Sequence, residues 1–128
     1  MSPQPPRVLV MDDDPMVRET ARRMLARLGY AVALAADGAE AVQIYRSSLN
    51  TDDPIAVVIL DLKVPDGMDG VEAARGLLDI DPAACLVVSS GATNVPEMQD
   101  YESFGFSATL AKPFQLTELG MVVGELVD

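Results

Sequence analysis

Ile55-Ala-Val-Val-Ile-Leu-Asp61 runs through six apolar residues, four of them β-branched, before it ends on a carboxylate. A strand exposed on one face alternates polar and apolar positions, so an unbroken run of this kind has to be buried on both faces. Its last residue then emerges at the carboxyl edge of a parallel sheet, where open α/β proteins place their ligand chemistry. A carboxylate there costs stability unless its charge is compensated. Asp61 is therefore the candidate working residue, and its charge calls for partners elsewhere in the chain.

Upstream, residues 1–6 are proline-rich and read as a flexible leader to a single domain over 7–128. Val8-Leu-Val-Met11 is a short buried strand that runs into Asp12, Asp13 and Asp14. Asp14 and Pro15 suit a helix start, with Val17, Ala21, Met24, Leu25 and Leu28 inward, four arginines (Arg18, Arg22, Arg23, Arg27) on the other side, and Gly29 as the stop. Ala31 to Ala35 is a weaker, alanine-rich strand suited to a sheet edge. Asp37-Gly38 opens a second helix, with Ala41, Val42, Tyr45 and Leu49 inward.

Downstream of Asp61, Leu62-Lys-Val-Pro-Asp-Gly-Met-Asp-Gly70 is a turn-rich loop. Val71, Ala74, Leu77 and Leu78 mark a third helix that Asp81-Pro82 ends. A strand from Cys85 to Val88 leads to Ser89-Ser90-Gly91. Asn94 to Phe104 reads as a fourth helix with a poor apolar stripe, expected to be mobile or to face a partner. Phe106 to Ala111 is the last strand, Lys112-Pro113 follows it, and Leu116, Leu119, Val123 and Leu126 define the closing helix. Tyr101, Phe104 and Phe106 read as core or interface packing, and the methionines as core filler. Strands alternating with helices at this spacing imply right-handed crossovers and a doubly wound parallel sheet with helices on both faces. In the order 2-1-3-4-5 the first and third strands flank the point where the winding reverses, which sets Asp12 and Asp13 beside Asp61.

Composition narrows the chemistry. With 128 residues and 49% hydrophobic content the chain can bury a real core, and disorder is not expected. A net charge of −11 argues against nucleic-acid phosphates as partners. Cys85, the single cysteine, excludes an internal disulfide and reads as a buried, inert thiol. The absence of histidine excludes a phosphohistidine donor, a serine–histidine hydrolase and an imidazole metal site. No apolar run approaches the roughly 18 residues of a membrane span, and no signal peptide precedes the first strand. The expectation is a cytoplasmic domain without membrane contact.

Three carboxylates meeting at one edge repel one another unless a cation sits among them. Oxygen-only ligands select a hard divalent ion, and Mg²⁺ fits because it takes few carboxylates and completes its shell with water and phosphate oxygens. Ser90 and Lys112, a hydroxyl and an ammonium at the ends of the fourth and fifth strands, would suit a dianionic phosphoryl group on the same edge. Asp61 then reads as a nucleophile that forms an acyl phosphate.

These residues, in this order and at these strand ends, resemble the receiver domain of two-component signalling from about Arg7 to Val127. The acidic pair matches Asp12-Asp13, the phosphoacceptor Asp61, the hydroxyl Ser90, and the lysine Lys112 in Ala-Lys-Pro-Phe. The resemblance implies a (βα)5 flavodoxin-like fold. It implies Mg²⁺ held directly by Asp13, Asp61 and the backbone carbonyl of Lys63, with Asp12 acting through water, and a cis Lys112-Pro113 bond. It implies a histidine kinase or histidine phosphotransfer protein as donor. The phosphorylated state would be relayed to a downstream protein through the surface of the fourth helix, fifth strand and fifth helix. With no DNA-binding segment after Asp128, output is expected through protein contact. Asp61 to Gly70, Val88 to Ala92 and Tyr101 to Phe106 are also similar to receivers attached to hybrid histidine kinases.

Two positions depart from the family's pattern. The loop after Asp61 carries one extra residue near Asp66-Gly67, and Thr109 stands where an aromatic switch residue is usual. Plainer readings stand beside the functional ones: Asp14 as a helix cap, Ser90 as a cap of its own loop, Lys63 as a solvated side chain rather than one that affects loss of the phosphoryl group. Two rival functions also stand. A phosphatase with an aspartate nucleophile usually carries a second acid two residues on, where this chain has Lys63. A pseudo-receiver would be a binding module whose site is silent, although here every acidic, hydroxyl and lysine position is filled. The expectation is a phosphoacceptor domain and not an enzyme acting on external substrates.

Overall fold

A computed structural model describes residues 4–127. Residues 1–3 of the expected leader and Asp128 lie outside the described residues. Five strands alternate with helices: β1 (Arg7–Met11), α1 (Pro15–Arg27), β2 (Ala31–Ala35), α2 (Gly38–Ser48), β3 (Ile55–Asp61), α3 (Gly70–Ile80), β4 (Leu86–Ser90), α4 (Pro96–Gln99), β5 (Ala108–Ala111) and α5 (Leu116–Val127). All pairings are parallel, in the order β2-β1-β3-β4-β5, as the sequence implies.

Alternation of side chains divides the core in two. Leu9, Val58, Leu60, Leu86 and Val88 point to one face and are covered by Ala41 and Tyr45 of α2, Ala73, Ala74 and Leu77 of α3, and Met98 of α4. Val8, Val10, Val57, Ile59, Val87 and Leu110 point to the other, where Ala21 and Leu25 of α1 and Leu119 and Val123 of α5 close over them. β2 lies at one edge, consistent with its small residues.

Aspartate starts three of the helices. Asp14, Asp37 and Asp69 each accept a hydrogen bond from a backbone N–H of the first turn, from Met16, Glu40 and Glu72. Asp14 is thus a cap, the plainer of its two readings. Gly29 follows α1 in the left-handed region with φ +96°.

Three expectations are corrected. The segment expected as a single helix over Asn94–Phe104 is two short pieces, α4 and a 3₁₀ turn over Tyr101–Phe104. Asp100 between them has φ −119° and ψ 47°, outside the helical region, and Met98 is the one buried residue of the pair of turns. So few buried side chains do not hold a regular helix together. β4 and β5 both start later than expected, leaving Cys85 and Phe106 outside them. Phe106 is still core, but Cys85 is only partly buried.

The long loop after Asp61 is tied down at both ends. The N–H of Leu62 donates to Ser89 O at 2.9 Å, and that of Gly38 donates to Met68 O at 2.8 Å. A Cβ on Gly70 would stand 2.5 Å from the carbonyl oxygen of Asp61, backbone that has little room to move. Gly70→Ala is expected to cost about 2–3 kcal/mol in urea unfolding, as overpacking does. Gly124→Ala, where nothing lies within 4 Å in α5, should instead gain about 0.5–1 kcal/mol.

Candidate functional site

The register assembles the site. Met11 pairs with Leu60, so Asp12 leaves β1 at the height of Asp61, the last residue of β3. Carboxylate oxygens of Asp12, Asp13 and Asp61 all lie within 4.8 Å of one another, with Asp12 and Asp61 buried and Asp13 exposed. Lys112, beyond the end of β5, reaches across with Nζ 2.6 Å from Asp12 Oδ2 and 3.1 Å from Asp61 Oδ1. The Lys112-Pro113 bond at its base is cis.

Asp12 is fixed from several sides. Its Oδ1 accepts the N–H of Asp14 at 2.9 Å, and its backbone carbonyl accepts Nη1 of Arg18 at 2.7 Å. Periodicity sets Arg18 on the side of α1 opposite its apolar stripe. Its reach back over the first turn of the helix is not visible in spacing, because the bond is to main chain rather than to a charge.

Ser90 ends β4 on the same edge, but its Oγ accepts the N–H of Ala92 at 3.0 Å, so here it caps its own loop. Lys63 is exposed. Thr109 is half-buried on β5, paired with Val88. An apolar groove of about 410 Å³ opens beside Lys112, lined by Met16, Val17, Thr20, Pro113 and Phe114.

Burial pushes the Asp61 carboxyl up to about 6, and the charge of Asp12 adds to this. The Lys112 ammonium and the backbone of Lys63 oppose the rise without cancelling it. For Lys112, burial acts to lower the pKa, but the hydrogen bond to Asp12 and the charge of Asp61 outweigh it and hold the ammonium above its ordinary value. At neutral pH the site therefore holds an ionised Asp61 at an energetic cost, beside a fixed cation.

That cost has a measurable sign. A carboxyl with a folded pKa near 6 and an unfolded value of 3.8 takes up more protons when folded, so its contribution to stability falls as pH rises through this window and is lowest above it. Asp61→Asn is expected to raise the metal-free stability at pH 7 by about 1–3 kcal/mol, and to leave little of the gain at pH 4. Denaturant unfolding at the two pH values checks this.

The donor set suits a hard divalent cation: oxygens only, two of them on buried carboxylates that carry more negative charge than one lysine offsets.

The family model described as response regulator receiver domain matches residues 8–123. The response regulator MprA of Mycolicibacterium vanbaalenii is 41% identical over 115 residues, which cover 90% of this chain and 47% of the relative. MprA of Mycobacterium bovis is 40% identical over 88% of this chain and 46% of its own. The chain thus spans about half the length of the curated relatives it matches. Among solved structures, a putative response regulator from Chloroflexus aurantiacus superposes with a TM-score of 0.85 at 26% identity, covering 96% of this chain and 98% of that one. The receiver domain of a sensor histidine kinase from Pseudomonas aeruginosa, solved with a magnesium ion in its active-site cleft, has a TM-score of 0.83 at 23% identity over 96% and 98%.

Proposed function

The chain belongs to the response regulator receiver domain family of two-component signalling, and from that premise we propose that Asp61 accepts a phosphoryl group from a partner phosphohistidine. The observation that carries this reading is the convergence of Asp12, Asp13 and Asp61 within 4.8 Å around a lysine that touches two of them. Receivers of this family work with histidine kinases and downstream effectors. For this chain the donor is a histidine kinase or a histidine phosphotransfer protein, since the chain itself has no histidine.

Asp13, Asp61 and the backbone carbonyl of Lys63 would hold Mg²⁺, with Asp12 beside it; bound there, the ion would offset negative charge on the phosphoryl oxygens. An Asp61 oxygen attacks phosphorus in line with the departing donor atom, and the bond to the donor breaks as the acyl phosphate forms. Lys112 is the fixed cation facing the transferred group, held in place by Asp12. Ser90, now engaged by Ala92, is the hydroxyl that would turn to a phosphoryl oxygen. The donor would approach Lys112 beside the apolar groove between α1 and Pro113.

Output would run through α4, β5 and α5. Thr109 lacks the ring that usually swings inward in this family, so the change would depend on Ser90 and on α4, a single turn with little buried side chain. Phosphorylation then shifts a pre-existing equilibrium rather than creating a new shape. Among the described residues no helix is long and apolar enough to cross a membrane. The domain acts in the cytoplasm and catalyses only its own phosphorylation and dephosphorylation.

Incubation with Mg²⁺ and acetyl phosphate separates the rival functions. A receiver gains one alkali-labile phosphoryl group, seen by intact-protein mass spectrometry. Continuous release of phosphate would instead indicate a phosphatase, and an unchanged mass a silent binding module.

A further inference from the structure

Ser89 is buried, and among the described residues its Oγ is the one buried side-chain nitrogen or oxygen with no hydrogen-bond partner. An unpaired hydroxyl in such a place is costly, and an alanine would fill nearly the same space without that cost. Packing alone gives no reason for a serine.

Strand register defines what surrounds it. Ser89 pairs with Asp61 on β3 and with Leu110 on β5. Paired residues of a parallel sheet share a face, so Ser89 lies on the face of Asp61, Val87 and Leu110, whereas Ser90 alternates away from it. The N–H of Lys112 donates to Ser90 O on β4, yet its Nζ reaches Asp61 on β3 and Asp12 on β1. In the order β1-β3-β4-β5 the lysine side chain has to cross the end of β4 to get there. The residue that β4 presents on that face is Ser89.

An ammonium carries three protons. Asp12 and Asp61 engage two of them, and among the described residues no third acceptor meets Lys112. We propose that Ser89 is a positioning residue for phosphoryl transfer, its hydroxyl accepting a Lys112 proton when the ammonium turns from Asp61 towards the incoming phosphoryl group. This role rests on Asp61 being the phosphoacceptor. Forming the acyl phosphate removes the negative charge from the Asp61 carboxylate that holds Lys112, so the ammonium has to change partners at that step. Ser89 Oγ is the unengaged acceptor on the face it crosses, while Ser90 Oγ is already bonded to Ala92.

The test compares wild type, Ser89→Ala and Ser89→Thr, with Ser89→Ala also made in a Lys112→Ala background, using Mg²⁺ and acetyl phosphate. Ser89→Ala should slow uptake about tenfold at saturating donor, with KM for the donor unchanged, as expected for loss of one hydrogen bond to a charged group. Ser89→Thr, which keeps the hydroxyl, should stay within about threefold of wild type, and Ser89→Ala should add no further slowing to Lys112→Ala. Thermal melting of each variant shows that it is folded before rates are compared. A Ser89→Ala rate equal to wild type, a Ser89→Thr as slow as Ser89→Ala, or equal slowing with and without Lys112 overturns the role. If wild type itself takes up no phosphoryl group, the phosphoacceptor reading fails and the Ser89 role with it. A wild type that is phosphorylated beside an unaffected Ser89→Ala removes the Ser89 role alone.

Discussion

Asp61→Asn should take up no phosphoryl group from acetyl phosphate and Mg²⁺ under conditions in which the wild type is modified to completion. The amide keeps the size and most of the contacts of the carboxylate, but it carries no charge and is a poor nucleophile. The same substitution removes the energetic cost of a buried, ionised carboxyl, a cost that the charge of Asp12 increases and Lys112 only partly offsets. Lost phosphorylation should therefore accompany a gain in stability, a pairing that a merely misfolded variant cannot produce. Mass spectrometry and urea unfolding on one sample check both, and residual uptake by a folded Asp61→Asn would contradict the assignment.

Lys112→Ala is expected to slow phosphoryl uptake by about 10²–10³, the usual loss when one preorganised charge facing a transferring group is removed. The lysine is also the counter-charge for two buried carboxylates, at 2.6 Å and 3.1 Å. Its loss should destabilise the metal-free fold by about 3 kcal/mol, as breaking a buried ion pair does. Mg²⁺ should recover much of that stability, because the carboxylates then lack any other cation, while leaving the rate low. Thermal melting with and without Mg²⁺, alongside uptake rates, separates the two effects. A rate within threefold of wild type would assign Lys112 a purely structural part.

Most of the fold was legible because burial on both faces leaves an unbroken apolar run, and the run at Ile55–Asp61 fixes the middle of a parallel sheet. Asp12, Asp61 and Lys112 could be placed at one edge because each ends or follows a strand whose pattern is clear. The single helix expected over Asn94–Phe104 rests on a stripe of Val95, Met98 and Tyr101, of which only Met98 is fully buried; the break at Asp100 is a backbone angle, not a composition. Cys85 and Phe106 read as strand because apolar character begins ahead of the first paired residues, Leu86 and Ala108. Ser90 is singled out by its resemblance to the family's hydroxyl before a small residue, Gly91, and nothing in the sequence pattern singles out Ser89. Pairing with Asp61 distinguishes them, and register becomes visible only in the assembled sheet. Arg18 was hidden for the reason that its partner is a main-chain carbonyl.

On the proposed function, one carboxylate in a cation-balanced acidic cluster accepts phosphorus. Borohydride reduction of the protein after treatment with acetyl phosphate and Mg²⁺ converts an aspartyl phosphate to homoserine, which peptide mass spectrometry locates. Conversion at residue 61 alone, abolished when EDTA replaces Mg²⁺, is the predicted result; conversion at Asp12 or Asp13, or at no aspartate in a folded and Mg²⁺-stabilised protein, would contradict it.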